Sequence, residues 1–200
     1  MPFETQRRAK PKMIRKTISY RNLQAIHLCL NLPFEIGGSI DFDEKGRLLR
    51  TQLYPVNKLA NEIILPDSLS VEFHSHPHPK LVQLPSLTDL MAQAKRSINT
   101  RLRRPKRFKQ FRGDLAIVFN HFGAVIYKYN RKVLPSKLEQ KEMLHILISL
   151  KRDSVPALQQ QCRDLRKYGF DIALQTWPKI RRSGLYLKFC SRTFHRIATP

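Results

Sequence analysis

The chain has 200 residues, of which 42% are hydrophobic, so it can bury one full core together with a modest appendage. Lys and Arg (37) outnumber Asp and Glu (15), and the formal net charge of +22 makes nucleic acid or another polyanion the expected partner. The sequence shows neither a signal peptide nor an apolar run near the roughly 20 residues of a membrane-spanning helix, so we expect no membrane contact and an intracellular location, in cytoplasm, nucleus or a virion.

The first part of the chain predicts a helix and then a strand hairpin. Apolar side chains between residues 13 and 30 recur at helical spacing, which predicts an opening helix behind a basic N-terminal arm at residues 1–13. Residues 34–42 alternate between apolar and other side chains, which predicts a half-buried strand with Glu35 on its non-apolar face. A turn and a returning strand at residues 47–54 complete the hairpin.

The remaining chain alternates between strand and helix patterns. In order, we predict a strand at 70–76, a helix at 86–102, a hairpin of strands at 114–120 and 123–129, helices at 137–151 and 156–169, and strands at 170–177 and 185–190. The sequence pattern changes near residue 134, where apolar helix patterns begin, and no flexible linker marks the change. We therefore expect a domain at residues 14–133 and a C-terminal α+β appendage at residues 134–200 that packs on it.

The positive charge is concentrated at residues 95–112, which contain nine basic residues and no acidic one. Seven of these basic residues are our candidates for contact with nucleic acid: Arg101, Arg103, Arg104, Lys106, Arg107, Lys109 and Arg112. The alternative interpretation is a solvated loop of a generally basic protein. The N-terminal arm has the same two interpretations.

The segment His74-Ser75-His76-Pro77 and the later Asp89 have the pattern of a metal site. Histidines two residues apart on a strand project from the same face, and a carboxylate in the first turn of a helix is held ionised by the helix dipole. The three cysteines are far apart and lack C-x-x-C spacing, so imidazole and carboxylate must hold the metal. Two His ligands and one Asp leave a fourth position for water, as in catalytic zinc sites.

A zinc-activated water also needs a proton acceptor that does not ligate the metal, and we assign this role to Glu35. Glu72 shares a strand face with His74 and Asp41 shares one with Glu35, so both are alternatives for the base or for an outer hydrogen-bond partner. Ser86 stands one helical turn before Asp89 and could donate to the developing oxyanion. Taken alone, residues 86–89 also form a helix capping box.

At these residues the sequence resembles the JAMM/MPN+ metalloprotease family, whose motif is a glutamate on an early strand, then H-x-H-P, a loop and S-x-x-D. The resemblance covers roughly residues 14–130 and is closest in style to viral and prokaryotic versions. It implies the MPN fold, a cytidine deaminase-like α/β domain with a curved, largely antiparallel sheet flanked by helices. It also implies Zn²⁺ ligation by His74, His76 and Asp89, with Glu35 as general base and Ser86 as oxyanion donor.

Family members usually cleave isopeptide bonds to ubiquitin-like proteins or related amide bonds, which implies a protein substrate. The loop between His76 and Asp89 encloses twelve residues, two more than the common family loop, and the basic segment occupies the place of a substrate-holding insertion. Both departures put the substrate in doubt. We expect a zinc peptidase or isopeptidase acting near nucleic acid or a nucleoprotein assembly. The alternative is a structural or nucleic-acid-binding MPN protein, such as a virion component.

Overall fold

The computed structural model describes residues 12–32, 35–42, 47–54, 69–76, 84–102, 111–148 and 154–191. Within these ranges the strands are β1 (Lys12–Ile18), β2 (Gly37–Phe42), β3 (Leu48–Tyr54), β4 (Leu69–His76), β5 (Phe111–Asn120), β6 (Gly123–Tyr129), β7 (Phe170–Thr176) and β8 (Leu185–Ser191). The helices are α1 (Tyr20–Cys29), α2 (Leu87–Leu102), α3 (Lys137–Ile148), α4 (Val155–Leu165), followed by a 3₁₀ turn at Arg166–Tyr168, and α5 (Trp177–Ser183).

Six strands form one open sheet in the order β3-β2-β4-β5-β6-β7, and β1 and β8 form a separate antiparallel ribbon. Within the six-stranded sheet only β4 and β5 run parallel. A parallel pair needs a crossover connection, and α2 lies in that connection. The protein is therefore a mixed α/β structure with a largely antiparallel sheet and helices on both faces, in agreement with the coarse prediction.

The two faces of the sheet bury separate apolar cores. On one face α1, α5 and the β1–β8 ribbon pack around Leu23, Trp177 and Leu187. On the other face α2, α3 and α4 pack around Leu90, Met143 and Leu158. Alternate residues of one strand therefore enter different cores, because successive side chains point to opposite faces.

Strand β2 is buried on both faces, whereas the sequence pattern predicted a half-buried strand. Ile40 and Phe42 enter the first core, and Ser39 and Asp41 on the other face are also buried. The buried carboxylate of Asp41 accepts a hydrogen bond from Arg50 Nε on β3 (2.9 Å). The prediction failed because alternation shows which side chains are polar and not whether they are covered, and polar side chains tolerate burial when they are hydrogen-bonded.

The opening helix predicted at residues 13–30 is wrong in its first part, where the chain forms β1, and right in its second part, where it forms α1. Ile14 and Ile18 are four residues apart, which places them on one face of a helix and equally on one face of a strand. This segment is a strand because it pairs with the antiparallel strand β8, which lies more than 160 residues away in the sequence. In this pairing Ile14 lies opposite Phe189. Short-range periodicity carries no information on that pairing.

The C-terminal part of the chain enters both sheets. Strand β7 pairs with β6, and β8 pairs with β1, so the end of the described chain lies beside its beginning. The two predicted helices are present: Ser154 caps α4 through its hydroxyl, and Gly169 ends the following turn at φ 92°. The short α5 was missed, because its seven residues, including Pro178 in the first turn, resemble a connection.

Among the helices within the described residues, none combines the length and the apolar composition that crossing a bilayer requires.

Candidate metal centre

Strand β4 presents His74 and His76 on the same face of the sheet. Val71 and Phe73, which precede the two histidines on this strand, point the other way, into the first core, and thereby fix the orientation of the strand. The Nε2 atoms of His74 and His76 are 3.2 Å apart. The two imidazole rings therefore converge on one point, as their two-residue spacing predicted.

The first turn of α2 brings Asp89 to the same point. The Asp89 amide donates to Ser86 Oγ (3.1 Å), and the Ser86 amide donates back to Asp89 Oδ2 (2.8 Å), which is the reciprocal arrangement of a capping box. The Ser86 hydroxyl also donates to Asp89 Oδ2 at 2.7 Å. The helix start therefore holds the carboxylate in place, 3.4 Å from His74 Nε2 and 4.0 Å from His76 Nε2.

These three separations can be compared with the geometry of a tetrahedral ion. Ligand atoms about 2.0–2.1 Å from a tetrahedral zinc ion lie about 3.3 Å from one another. The observed separations of 3.2, 3.4 and 4.0 Å are close to that value, and the three ligand atoms all lie within 4.8 Å of one another. His74, His76 and Asp89 therefore form a group that could hold a metal ion.

The charge state of Asp89 suits a cation. Burial disfavours its ionised form, but hydrogen bonds from His74 and Ser86 and the proximity of His74 outweigh that effect and hold the pKa of Asp89 well below its usual range. A metal ligand must be deprotonated. Asp89 therefore offers a carboxylate anion without a preceding loss of a proton.

Glu35 lies beside the histidines because the pairing of β2 with β4 extends to the two residues that precede β2. The Ile36 amide donates to Ser75 Oγ (2.8 Å), and the Ser75 amide donates to the Ile36 carbonyl oxygen (2.8 Å). This register sets Glu35 opposite His76, and Glu35 Oε1 lies 3.8 Å from His76 Nε2. The Glu35 side chain is 59% exposed, whereas His76 is 9% exposed, so the carboxylate lies on the solvent side of the imidazole.

The two alternative carboxylates have other partners. Glu72 forms an ion pair with Arg96 of α2, two helical turns beyond Asp89. Asp41 is bonded to Arg50, and its position opposite Ser70 is four residues, or about 13 Å, along β4 from His74. The geometry therefore favours Glu35 over both alternatives as the carboxylate beside the histidines.

No family model, no curated protein and no solved structure matches this chain. The interpretation of the site therefore depends on its own residues.

A buried tyrosine beneath the site escaped the sequence analysis. Tyr127 on β6 is 3% exposed, and burial, assisted by the negative charges of Asp89 and Glu72, raises its pKa far above the usual value. Its hydroxyl therefore stays neutral within range of the Asp89 charge. Tyr127 is 38 residues from Asp89 in sequence, and no motif links the two.

Most of the nucleic-acid candidates lie outside the described residues, namely Arg103, Arg104, Lys106, Arg107 and Lys109. Arg101 belongs to the last turn of α2 and Arg112 to the start of β5. The basic segment at residues 95–112 thus spans the connection from α2 to β5, and its contact with nucleic acid stays a prediction.

Proposed function

We propose that this protein is a zinc-dependent hydrolase of the JAMM type, which cleaves an isopeptide or peptide bond. The observation that supports it is the meeting of His74, His76 and Asp89 at separations close to those of tetrahedral zinc ligands, with the exposed Glu35 carboxylate 3.8 Å from His76. The mixed sheet with α1 on one face and α2 on the other is compatible with the MPN fold that the sequence motif implies.

In this proposal His74, His76 and Asp89 would hold the zinc ion, and three protein ligands would leave one coordination position for water. When bound, zinc lowers the pKa of water toward neutrality and polarises the carbonyl group to be attacked. Glu35 accepts the proton of the attacking water and returns it to the leaving amine. Its exposure and its position opposite His76 suit a group that must receive and release a proton within one reaction cycle.

Ser86 has two roles in the proposal. Its hydroxyl oxygen caps α2, and its proton is donated to Asp89 Oδ2, so Ser86 orients a metal ligand. Donation to the oxyanion of the tetrahedral intermediate requires the hydroxyl to turn from Asp89 toward the substrate carbonyl. Only the resemblance to the family motif supports the second role, donation to the oxyanion.

The second candidate function is a structural or nucleic-acid-binding protein whose metal group serves stability. The observation in its favour is the net charge of +22, which a peptidase does not need. A structural zinc site normally has four protein ligands, and within the described part of the chain only three residues form the group. This difference favours the hydrolase.

Two substitutions test the hydrolase. Purified protein should contain one zinc ion per chain by elemental analysis, and His76→Ala should lose it, whereas His145→Ala, an exposed histidine on α3, should retain it. Glu35→Gln should retain zinc but lose about 10²- to 10⁴-fold in hydrolysis of ubiquitin-like conjugates or amide-linked peptides.

Glu72→Gln is the matched control, because it removes a carboxylate from the same sheet face but one that is paired with Arg96. It should keep most of the activity. Full turnover by the Glu35→Gln protein would remove Glu35 as the base, and zinc-loaded protein that hydrolyses none of these substrates would favour the binding function.

A further inference from the structure

The layer that covers the first core carries charge of one sign. The four elements β1, α1, α5 and β8 contain eight basic residues and no Asp or Glu. The basic residues are Lys12, Arg15, Lys16, Arg21, Lys179, Arg181, Arg182 and Lys188. We call the outer surface of these four elements the ribbon face.

The opposite helical layer shows that this is not a diffuse property of the chain. Helices α2, α3 and α4 contain six basic residues, Lys95, Arg96, Arg101, Lys137, Lys141 and Arg163, and four acidic residues, Asp89, Glu139, Glu142 and Asp164. This layer therefore has a net charge of only +2, whereas the four elements on the other face have eight basic residues and no acid. An average surplus of Lys and Arg predicts an even distribution, so the ribbon face is a localised field.

The cations of the ribbon face are available to a ligand. Arg15, Arg21, Lys179, Arg182 and Lys188 are exposed, and within the described ranges none of them forms an ion pair. Asp171 at the β7 edge lies toward the same face of the sheet, but its carboxylate is paired with Lys128 (3.3 Å). Within the described part of the chain, these four elements therefore carry no acid that neutralises the field.

The register of the ribbon adds an independent observation. Arg15 of β1 lies directly opposite Lys188 of β8, and both side chains are exposed. Like charges at directly opposed positions of an antiparallel pair are destabilising. An anion that lies between the two cations would stabilise such a pair. The same side of the ribbon also carries Tyr186, which is exposed and lies opposite Thr17.

The aromatic rings of this layer indicate the kind of nucleic acid. The guanidinium of Arg181 lies 5.4 Å above the ring of Tyr20, and His27 stacks on Trp177 with ring centroids 4.1 Å apart. These ring faces are occupied within the protein, and of the rings that the structure describes in this layer only Tyr186 is exposed, which leaves a single platform for stacking with unpaired bases. Phosphate contacts by exposed Lys and Arg from a two-stranded ribbon and an adjacent helix suit a duplex.

We propose that the ribbon face binds double-stranded nucleic acid through its phosphates and without sequence preference. This surface lies on the opposite side of the sheet from His74, His76 and Asp89, because α2 packs on the second core. It is also distinct from the segment at residues 95–112, which continues from α2. The proposal is independent of hydrolysis, since a duplex bound here leaves the metal group accessible.

The test compares two triple variants of the full chain in binding to a short labelled DNA duplex of random sequence. The ribbon-face variant is Lys179→Gln, Arg182→Gln and Lys188→Gln, and the control variant is Lys132→Gln, Lys137→Gln and Lys141→Gln, which removes the same charge from exposed positions elsewhere. Each phosphate contact contributes about 0.9 to the slope of log K against log salt concentration. The ribbon-face variant should lower the slope magnitude by about 2 to 3 units and weaken binding at least tenfold at roughly 0.1 M salt.

The control variant should change the slope by less than about one unit. Thermal unfolding checks folding, and loss of Lys188 removes the repulsion with Arg15, so the ribbon-face variant should be at least as stable as the wild type. Equal weakening by both variants would overturn the proposal, as would unweakened binding by the ribbon-face variant. Failure of the wild type to bind duplex, or preference for single strands or anionic lipid vesicles, would overturn it too.

Discussion

Glu35 lies opposite His76 where the pairing of β2 with β4 ends, and Glu35 Oε1 is 3.8 Å from His76 Nε2. The contact joins residues 41 positions apart in the sequence and depends on the two hydrogen bonds between Ile36 and Ser75. The site is therefore assembled by three elements: β4 supplies two imidazoles, the start of α2 supplies a carboxylate, and the entry to β2 supplies a second carboxylate on the solvent side.

Ser86→Ala should weaken metal binding as well as the fold. The variant loses the cap of α2, which costs about 1 kcal/mol, and it loses the hydroxyl that orients Asp89, which should cost about 10- to 100-fold in zinc affinity. Urea unfolding and competition with a zinc chelator measure the two effects. Ser154→Ala is the matched control, since Ser154 caps α4 in the same way and contacts no metal ligand, so only stability should fall.

Gly38→Ala should destabilise the protein strongly, whereas Gly37→Ala should not. A Cβ atom at Gly38 would collide with the carbonyl oxygen of Gln52 and lie 2.6 Å from Phe73 Cζ, and overpacking of this kind costs about 3 kcal/mol. At Gly37 the added Cβ atom would meet the Phe73 carbonyl oxygen at 3.6 Å, which is an ordinary van der Waals contact. Chemical denaturation of both variants decides, and equal midpoints would contradict the close approach of β3 and β4 around Gly38.

The acid stability of the metal-free protein should depend on Asp89. Its pKa is lowered in the folded protein, so the ionised carboxylate contributes to the free energy of unfolding above about pH 4, and this contribution is lost as the pH falls through lower values. Wild type and Asp89→Asn should therefore differ by about 1–2 kcal/mol at pH 6, and the difference should narrow steadily as the pH falls below about 4. Urea unfolding in the presence of a chelator measures this, and a difference that does not change with pH would contradict it.

The Cys162 thiol should be inert in the native protein. Burial against the second core raises its pKa to about 12, although Arg166 and Arg163 act in the opposite direction, so almost no thiolate exists at neutral pH. Cys29, which is only partly buried at the end of α1, serves as the internal reference. Alkylation at pH 8 followed by peptide mass spectrometry should label Cys29 first and Cys162 only after unfolding; labelling at equal rates would contradict the packing of α4.

Local patterns in the sequence determined much of this structure. The two-residue spacing of His74 and His76 is sufficient to place both rings on one strand face, because the strand period is two. Ser86 and Asp89 likewise define a helix start through bonds between residues three apart. The hairpins β2–β3 and β5–β6 and the helices α2, α3 and α4 were predicted for the same reason, since their signals lie within one element or one turn.

Contacts between distant segments decided three features that no local sequence pattern encodes. Ile14 and Ile18 satisfy the periods of both helix and strand, and β8 decides for the strand. The pairing of β2 with β4 selects Glu35 over Asp41 and Glu72 as the neighbour of His76, although all three carboxylates have suitable chemistry. The ribbon face joins the two ends of the described chain, so its uniform charge emerges only after folding. Each of these features depends on contacts between distant segments, whose free energy is set by packing and register rather than by neighbouring residues.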